Sequence, residues 1–421
     1  MKIAFVVDSF PVVSETFILA QIVGLFERGH EVDIFADPPP RTLTKVHTDV
    51  ERFRLLDHTQ YRPPMPAAWG ARLQSAASRV MRWGLRHPGT VLESLNVLRH
   101  RREALNLSVL HRWFPEQKLD RDYDIIHCHF GPNGQRAIVM RKVGALRGPI
   151  ITTFHGYDIS LYVQRRGPGV YDELFRKGEA FTCSSKFIRG KLVAAGCDPE
   201  KIFVFKLGTD LTKFDFLERR VDADGVTRLI TVARLVEKKG LEYSIKAVAN
   251  LVRQFPKLEY TIVGDGYLRQ DLSFLIKRLD LQKNVTLVGW KTQEEVRQLF
   301  AKSHIFVLAS VLSSDGDFEG QGMVLQEAQA MGLPVVCTNH NGFSESILDG
   351  QSGFLVPERD ADALSAKLAE LIGRSDQWIE IGKKGRAFVE AEFDLSKRND
   401  ALVELYRNVR TPKREVALRE A

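Results

Sequence analysis

Short, mostly apolar runs alternate along this chain with longer stretches in which apolar positions recur every three or four residues. One series of runs covers residues 2–7, 31–35, 124–128, 150–154, 180–183 and 202–205. A second covers residues 228–232, 259–263, 285–288, 305–308 and 334–337. Runs of this length, as a set too apolar for one wet face, predict strands buried on both faces. Helical spacing marks residues 17–28, 241–254, 267–279 and 324–331. Strands and helices in alternation predict parallel sheets covered on both sides. The expected fold class is α/β, with two doubly wound parallel-sheet, Rossmann-like domains.

The stretch 206–226 is polar, carries acids, and contains Gly208 and Gly225. It divides the chain into an N-terminal domain, residues 1–206, and a second domain, residues 207–394. Two segments depart from the alternation. Trp69, Leu73, Ala76, Val80 and Trp83 recur at helical spacing, which predicts a helical excursion over residues 67–118. Ala401, Leu402, Leu405, Tyr406 and Val409 share one face of a last helix, so residues 395–421 are expected to return to the first domain and end in a polar tail.

Composition narrows the class. Of 421 residues, 44% are hydrophobic and 27% charged, which excludes disordered, collagen-like and low-complexity chains. Cys128, Cys183, Cys197 and Cys337 are scattered without a CxxC pair, as in a cytoplasmic protein with reduced thiols. No window reaches the ~18 apolar residues of a membrane span, and the N-terminus meets Asp8 too soon for a signal sequence. Net charge is +7, and residues 67–118 alone hold nine Lys/Arg against three acids. Charge this localised fits an anionic membrane surface, an acidic partner or a solvated helix face. Without interleaved aromatics on a known module it gives no case for nucleic acid.

Ligands of open α/β sheets bind beyond the carboxyl ends of the strands, so the loops there are searched first. Arg234, Lys238 and Lys239 precede a helix, where cations oppose the macrodipole; a bound diphosphate would relieve that conflict. Glu319 and Glu327 bracket Gly320 and Gly322, placing two carboxylates around approachable main-chain amides. Carboxylates accept from hydroxyls, so a polyhydroxylated ligand suits the pair. Asp315 and Asp317 form a D-x-D without a third metal ligand. His127 and His129 lie at strand spacing on one face and read as a bonded pair at a strand end rather than a zinc site. His155 directly follows a strand, beside Gly156. The first loop ends in Ser14, Glu15 and Thr16, with Ser14 a candidate helix cap. Neither it nor Gly264-Asp265-Gly266 is a GxGxxG, which disfavours a dinucleotide enzyme.

Ala233-Arg234-Leu235 with Lys239-Gly240, then Val263-Gly264-Asp265-Gly266, Val288-Gly289-Trp290, and Glu319-x7-Glu327 running into Gly332-Leu333-Pro334 together resemble the family 4 glycosyltransferases of the GT-B fold over nearly the whole chain. Ser14-Glu15-Thr16-Phe17 and His127-x-His129-Phe130 are similar to the subgroup that builds bacterial exopolysaccharides of the colanic-acid type.

The resemblance implies two domains facing across a cleft, acceptor site in the first and donor site in the second. It implies that Arg234 and Lys239 hold a donor diphosphate, and that Glu327 holds the ribose. Glu319, with the amides of Gly320, Gly322, Met323 and Val324, would hold the sugar. His155 would reach the sugar from the first domain; Gly264, Gly289 and Trp290 would lie around the nucleotide. Ser14, Glu15 and Thr16 fall on the acceptor side. The reaction implied is transfer of a hexose with retention, from a UDP-sugar before a GDP-sugar, to a saccharide acceptor carried on lipid. No metal or other cofactor is implied, the nucleotide-sugar being a co-substrate. The expected location is the inner face of the plasma membrane, bound peripherally. A sugar-nucleotide epimerase of the same fold and a non-catalytic sugar-nucleotide binder remain the alternatives.

Overall fold

Thirteen strands of the computed structural model sort into two parallel sheets. The structure describes residues 1–12, 15–39, 47–63, 65–83, 88–97, 102–113 and 122–410. Seven strands make the first sheet: β1 (Lys2–Ser9), β2 (Glu31–Asp37), β3 (Thr59–Tyr61), β4 (Ile125–His129), β5 (Ile150–Phe154), β6 (Ala180–Cys183) and β7 (Ile202–Val204), in spatial order β3-β2-β1-β4-β5-β6-β7. Six make the second: β8 (Thr227–Val232), β9 (Leu258–Val263), β10 (Val285–Gly289), β11 (Ile305–Leu308), β12 (Val335–Thr338) and β13 (Gly353–Val356), in order β10-β9-β8-β11-β12-β13.

In both sheets the order reverses beside the first strand, between β1 and β4 and between β8 and β11. Such switch points open a crevice at the carboxyl edge. The central strands β4, β5, β6, β11 and β12 are buried at every position, the polar His127, His129, Thr152, Thr153 and Thr182 included, which is why they read as mostly apolar runs. Two edge strands escape the sequence pattern. β3 is three partly or fully exposed residues, Thr-Gln-Tyr, and β13 is a four-residue strand opened by Gly353.

The helix Leu395–Arg410 buries Leu402, Val403, Leu405 and Tyr406 in the same apolar cluster as Ile18, Ile22 and Leu25 of the helix Thr16–Glu27. Gly24 permits that contact, since a Cβ there would lie 1.8 Å from Asn399 Nδ2. The chain thus starts and finishes on the first sheet. In the excursion, helix Trp69–Trp83 forms with the expected period, but its apolar stripe is only partly covered. Ala76 packs with Leu110, whereas Trp69 is 52% and Leu73 55% exposed. The tail after residue 410 lies outside the described residues. Among them, no helix is long and apolar enough to cross a membrane, and all four cysteines are free and buried.

Candidate active site

The lysines ahead of the second domain's first helix are neutralised by the loop that follows β11. Glu237–Lys239 is a single 3-10 turn, and Gly240 at φ 58° turns the chain into helix Leu241–Leu251. A Cβ on Gly240 would stand 1.8 Å from the Ala309 carbonyl, so this turn sits hard against the end of β11. Lys239 Nζ lies 2.7 Å from Glu319 Oε2, and Lys238 Nζ lies 2.9 Å from Asp317 Oδ2. The helix-start conflict read from the sequence is therefore met first by carboxylates of the protein itself. Burial pushes the Glu319 carboxyl up, but the charges of Lys239, Lys238 and Arg234, with the Lys239 hydrogen bond, outweigh it and hold it below its ordinary value. Glu319 is an anion ready to accept. Arg234 is exposed and makes no ion pair within the described residues.

The D-x-D pair does not converge. Asp317 is committed to Lys238, while Asp315 accepts from the Ser313 hydroxyl at 2.6 Å. No group of three His, Cys, Asp or Glu side chains comes together among the described residues.

Gly322 at φ 68° caps helix Met323–Ala330, where a Cβ would clash with Phe343 at 2.7 Å. The first amides of that helix, Met323 and Val324 included, have no intrahelical acceptor and face whatever lies at its start. Glu327 lies one turn further on. Burial alone raises its carboxyl to about 7, and its carboxylate has no hydrogen-bond partner among the described residues. An acid left unpaired there is fit to accept from ligand hydroxyls. Between the domains lies a cavity of about 60 Å³ that Glu327 and Met323 share with Thr16, Phe17, Thr209 and Lys213.

Around Gly264, backbone lies against backbone. It takes φ 131°, and a Cβ would meet the Ala233 carbonyl at 1.9 Å, locking the loops after β8 and β9 together. Trp290, just past β10, is 61% exposed, with Gly289 at φ 77° beside it.

From the first domain, the loop after β5 is fixed by Asp158. Its buried carboxylate accepts from the amides of His155 (3.0 Å), Gly156 (2.9 Å) and Gly131 (2.9 Å). Burial outweighs those bonds and raises it to about 6. His155 is sandwiched by Phe17 and Phe130, each with ring centroid 4.7 Å away, and its Nε2 lies 3.0 Å from His129 Nδ1. Burial pushes His155 down to about 3 and His129 well below its ordinary value, so both rings are neutral and share one N–H. Any charge His155 stabilises is stabilised by a neutral dipole. His127 bonds Tyr406 of the last helix at 2.6 Å and Thr153 at 2.7 Å, the bonded strand-end pairing expected for it.

The domains touch at the site. A Cβ on Gly320 would lie 2.7 Å from the His155 carbonyl, and Phe318 packs 3.3 Å from the Cβ position of Gly156. Across the domains the Lys186 amide donates to Glu345 at 2.8 Å, and Gln321 holds the start of the second domain, accepting from the Leu207 amide at 2.8 Å and donating to its carbonyl at 2.9 Å. His155 and the glycine loop after β11 are therefore in direct contact. The residue flanking helix Thr16–Glu27 is Glu15, without a side-chain cap; Ser14, the cap expected from the sequence, lies outside the described residues. Burial, with Asp8 nearby, raises Glu15 to about 7.

Sequence reasoning missed His340 and Glu358. The Nε2 of His340 accepts from the Glu319 amide at 3.1 Å, while its Nδ1 meets Glu358 at 2.5 Å. The available signal was a histidine just past a predicted strand, the same placement that singled out His155.

Two family models divide the chain between them. That of Glycosyltransferase Family 4 matches residues 14–213, and that of Glycosyl transferases group 1 matches residues 215–388. The chain is 36% identical to WcaL of Salmonella typhimurium, a glycosyltransferase provisionally assigned to colanic acid biosynthesis, over 97% of this chain and 100% of that one. It is 36% identical to the amylovoran biosynthesis glycosyltransferase AmsK of Erwinia amylovora, over 94% of this chain and 96% of that one. Among solved structures, a glycosyltransferase from Rickettsia africae superposes with TM-score 0.68 at 19% identity, over 98% of this chain and 99% of that one. HepE of Anabaena, in complex with UDP-glucose, superposes with TM-score 0.67 at 19% identity, over 97% and 100% respectively. Likeness at that identity shows the two-domain GT-B fold.

Proposed function

We propose that this chain, which belongs to the family 4 glycosyltransferases of the GT-B fold, moves a hexose with retention from a nucleoside-diphosphate sugar to a saccharide acceptor carried on lipid, in exopolysaccharide synthesis. The family rests on the two matched models and on full-length relatives at 36% identity. The observation that carries the finer reading is the Lys239–Glu319 pair. A cation for the leaving phosphate and an anion for sugar hydroxyls stand 2.7 Å apart, beside a loop of bare glycines. The names of WcaL and AmsK support the exopolysaccharide role, and the UDP-glucose complex of HepE supports UDP before GDP.

In the proposed reaction the sugar's anomeric bond to the β-phosphate breaks, leaving a nucleoside diphosphate whose growing negative charge must be met. Arg234, Lys239 and the amides opening helix Met323–Ala330 supply that stabilisation. Glu319 and the amides beside Gly320 and Gly322 hold the sugar hydroxyls, and Glu327 accepts from the ribose. The acceptor enters from the first domain along Glu15 and Thr16, and the departing phosphate takes the acceptor proton on the same face. Glu319 is not assigned as a glycosidase-type nucleophile, because that role needs a partner carboxylate ~5 Å away across the scissile bond. A screen of UDP- and GDP-sugars by saturation-transfer NMR, followed by transfer to lipid-linked saccharides, tests the reading. Hydrolysis or epimerisation of donor without transfer to any acceptor would overturn it.

Arg234 and Lys239 take the place of a divalent cation in this scheme. Activity is therefore expected to survive EDTA, measured as product formed after exhaustive chelation. Loss that magnesium or manganese restores would contradict it and return Asp315 and Asp317 to consideration.

Peripheral docking on anionic membrane follows from the excursion. Arg72 lies on helix Trp69–Trp83 together with the exposed Trp69, Leu73 and Met81, and Leu92 and Leu105 nearby are exposed as well. Basic residues beside uncovered apolar ones suit an interface, each Lys/Arg contributing up to ~1 kcal/mol near an anionic surface. The side chains of Trp83 and Trp113 lie outside the described part. Flotation with anionic vesicles is expected at low salt, weakening as salt rises. Charge reversal at Arg79, Arg82 and Arg86, where Arg86 and the Arg82 side chain lie outside the described residues, should release the protein without changing donor binding. Equal flotation with neutral and anionic vesicles would count against docking.

A further inference from the structure

We infer that His340, held by Glu358, is a positioning residue that aims Glu319 at the donor sugar. The inference rests on the donor reading of Glu319 above. His340 follows β12, and its side chain is completely buried. Both ring nitrogens are engaged. Nδ1 lies 2.5 Å from Glu358 Oε1, and Nε2 lies 3.1 Å from the main-chain nitrogen of Glu319 and 2.8 Å from Nδ2 of the adjacent Asn341, so it accepts from both. A carboxylate can only accept, so Nδ1 carries the proton and Nε2 is left as the acceptor the Glu319 amide requires. Glu358 is itself oriented, its other oxygen accepting from the Leu312 amide at 3.0 Å. The order is carboxylate, imidazole, amide, then the Glu319 side chain on Lys239.

The backbone packs to the same end. A Cβ on Gly342, two residues past His340, would stand 2.5 Å from the Gly320 carbonyl. The loop after β12 is thus pressed directly on the loop that carries Glu319 and Gly320, and a shift of His340 is a shift of the sugar contacts. Of the diphosphate contacts, Lys239 touches Glu319 through its side chain, but it and Arg234 are both carried by a different loop, after β8. Loss of the His340 bond should therefore be felt far more at the sugar than at the nucleotide.

Protonation would remove the acceptor. Burial and Lys239 hold His340 low, against Glu358 and Glu319, which raise it; the net direction is down from its ordinary value. The Glu319 amide consequently keeps its acceptor through neutral pH and loses it only as pH falls through that lowered value.

Three variants test this. In His340→Phe the acceptor is gone; in His340→Gln an amide oxygen can stand near the place of Nε2 and does not titrate. His340→Phe is expected to lose about 10- to 100-fold in kcat/KM for the nucleotide-sugar, with a much smaller change in Kd for the nucleoside diphosphate. His340→Gln should recover most of that loss and abolish the part of the acid limb of the pH profile that belongs to His340. Wild-type kcat/KM in folded His340→Phe, or equal loss of affinity for nucleotide-sugar and nucleoside diphosphate, would overturn the inference. Glu319→Gln separates the two levels. If it retains full activity, the donor reading of Glu319 fails; if it is impaired while His340→Phe is not, only the positioning role fails.

Discussion

Arg234→Ala and Lys239→Ala each lower turnover about 10²- to 10³-fold, equivalent to ~2–4 kcal/mol of lost transition-state stabilisation. The departing nucleoside diphosphate gains charge as the anomeric bond breaks, and preorganised cations that meet it act on the chemical step itself. The two variants should differ in stability. Arg234 is exposed and has no ion pair among the described residues, so its removal leaves nothing buried unpaired. Lys239 is buried against Glu319 at 2.7 Å, and its loss strands a carboxylate. Arg234→Ala should melt like the wild type, and Lys239→Ala at a lower temperature while still folded at assay temperature. Single-turnover rates at saturating donor, with melting curves alongside, make the comparison. Near-wild-type turnover in both variants would remove the diphosphate assignment.

Glu327→Gln weakens nucleotide binding about 10²-fold, as expected when charge-assisted bonds to two ribose hydroxyls become neutral ones. It also changes the pH dependence in a definite direction. Burial raises the free enzyme's Glu327 to about 7. Only the ionised form accepts fully from the ribose, so binding favours proton release, and affinity rises with pH up to that value before levelling. The slope below it approaches about tenfold per pH unit. The terminal phosphate of a nucleoside diphosphate titrates in the same region, but equally for both proteins, so the difference between wild type and variant isolates Glu327. Calorimetric titration across that range should give converging affinities at low pH and diverging ones at high pH. A constant ratio would place the ribose elsewhere.

Much of this arrangement could be read in advance because chemistry and burial left separate marks. Central strands buried on both faces appear as apolar runs, and all five fully buried ones were found. β3 and β13 were not: β3 is three partly exposed residues, two of them polar, and β13, though apolar, is only four residues opened by a glycine. Arg234, Lys239, Glu319 and Glu327 stood out as charges placed among glycines at strand ends. What the sequence hides is pairing. Lys238 with Asp317 and Lys239 with Glu319 join residues 79 and 80 positions apart, and His340 with Glu319 joins loops after different strands. A stripe at helical period likewise says that a helix forms, not that its stripe is covered, as Trp69 and Leu73 show.

The most direct measurement is transfer of labelled hexose from each candidate nucleotide-sugar to a lipid-linked acceptor in excess EDTA, with the anomeric configuration of the product read by NMR. The account predicts transfer from a UDP- or GDP-sugar, retention of configuration, and loss of that transfer in Arg234→Ala. Inversion, or transfer that occurs only after a divalent cation is restored, would contradict it.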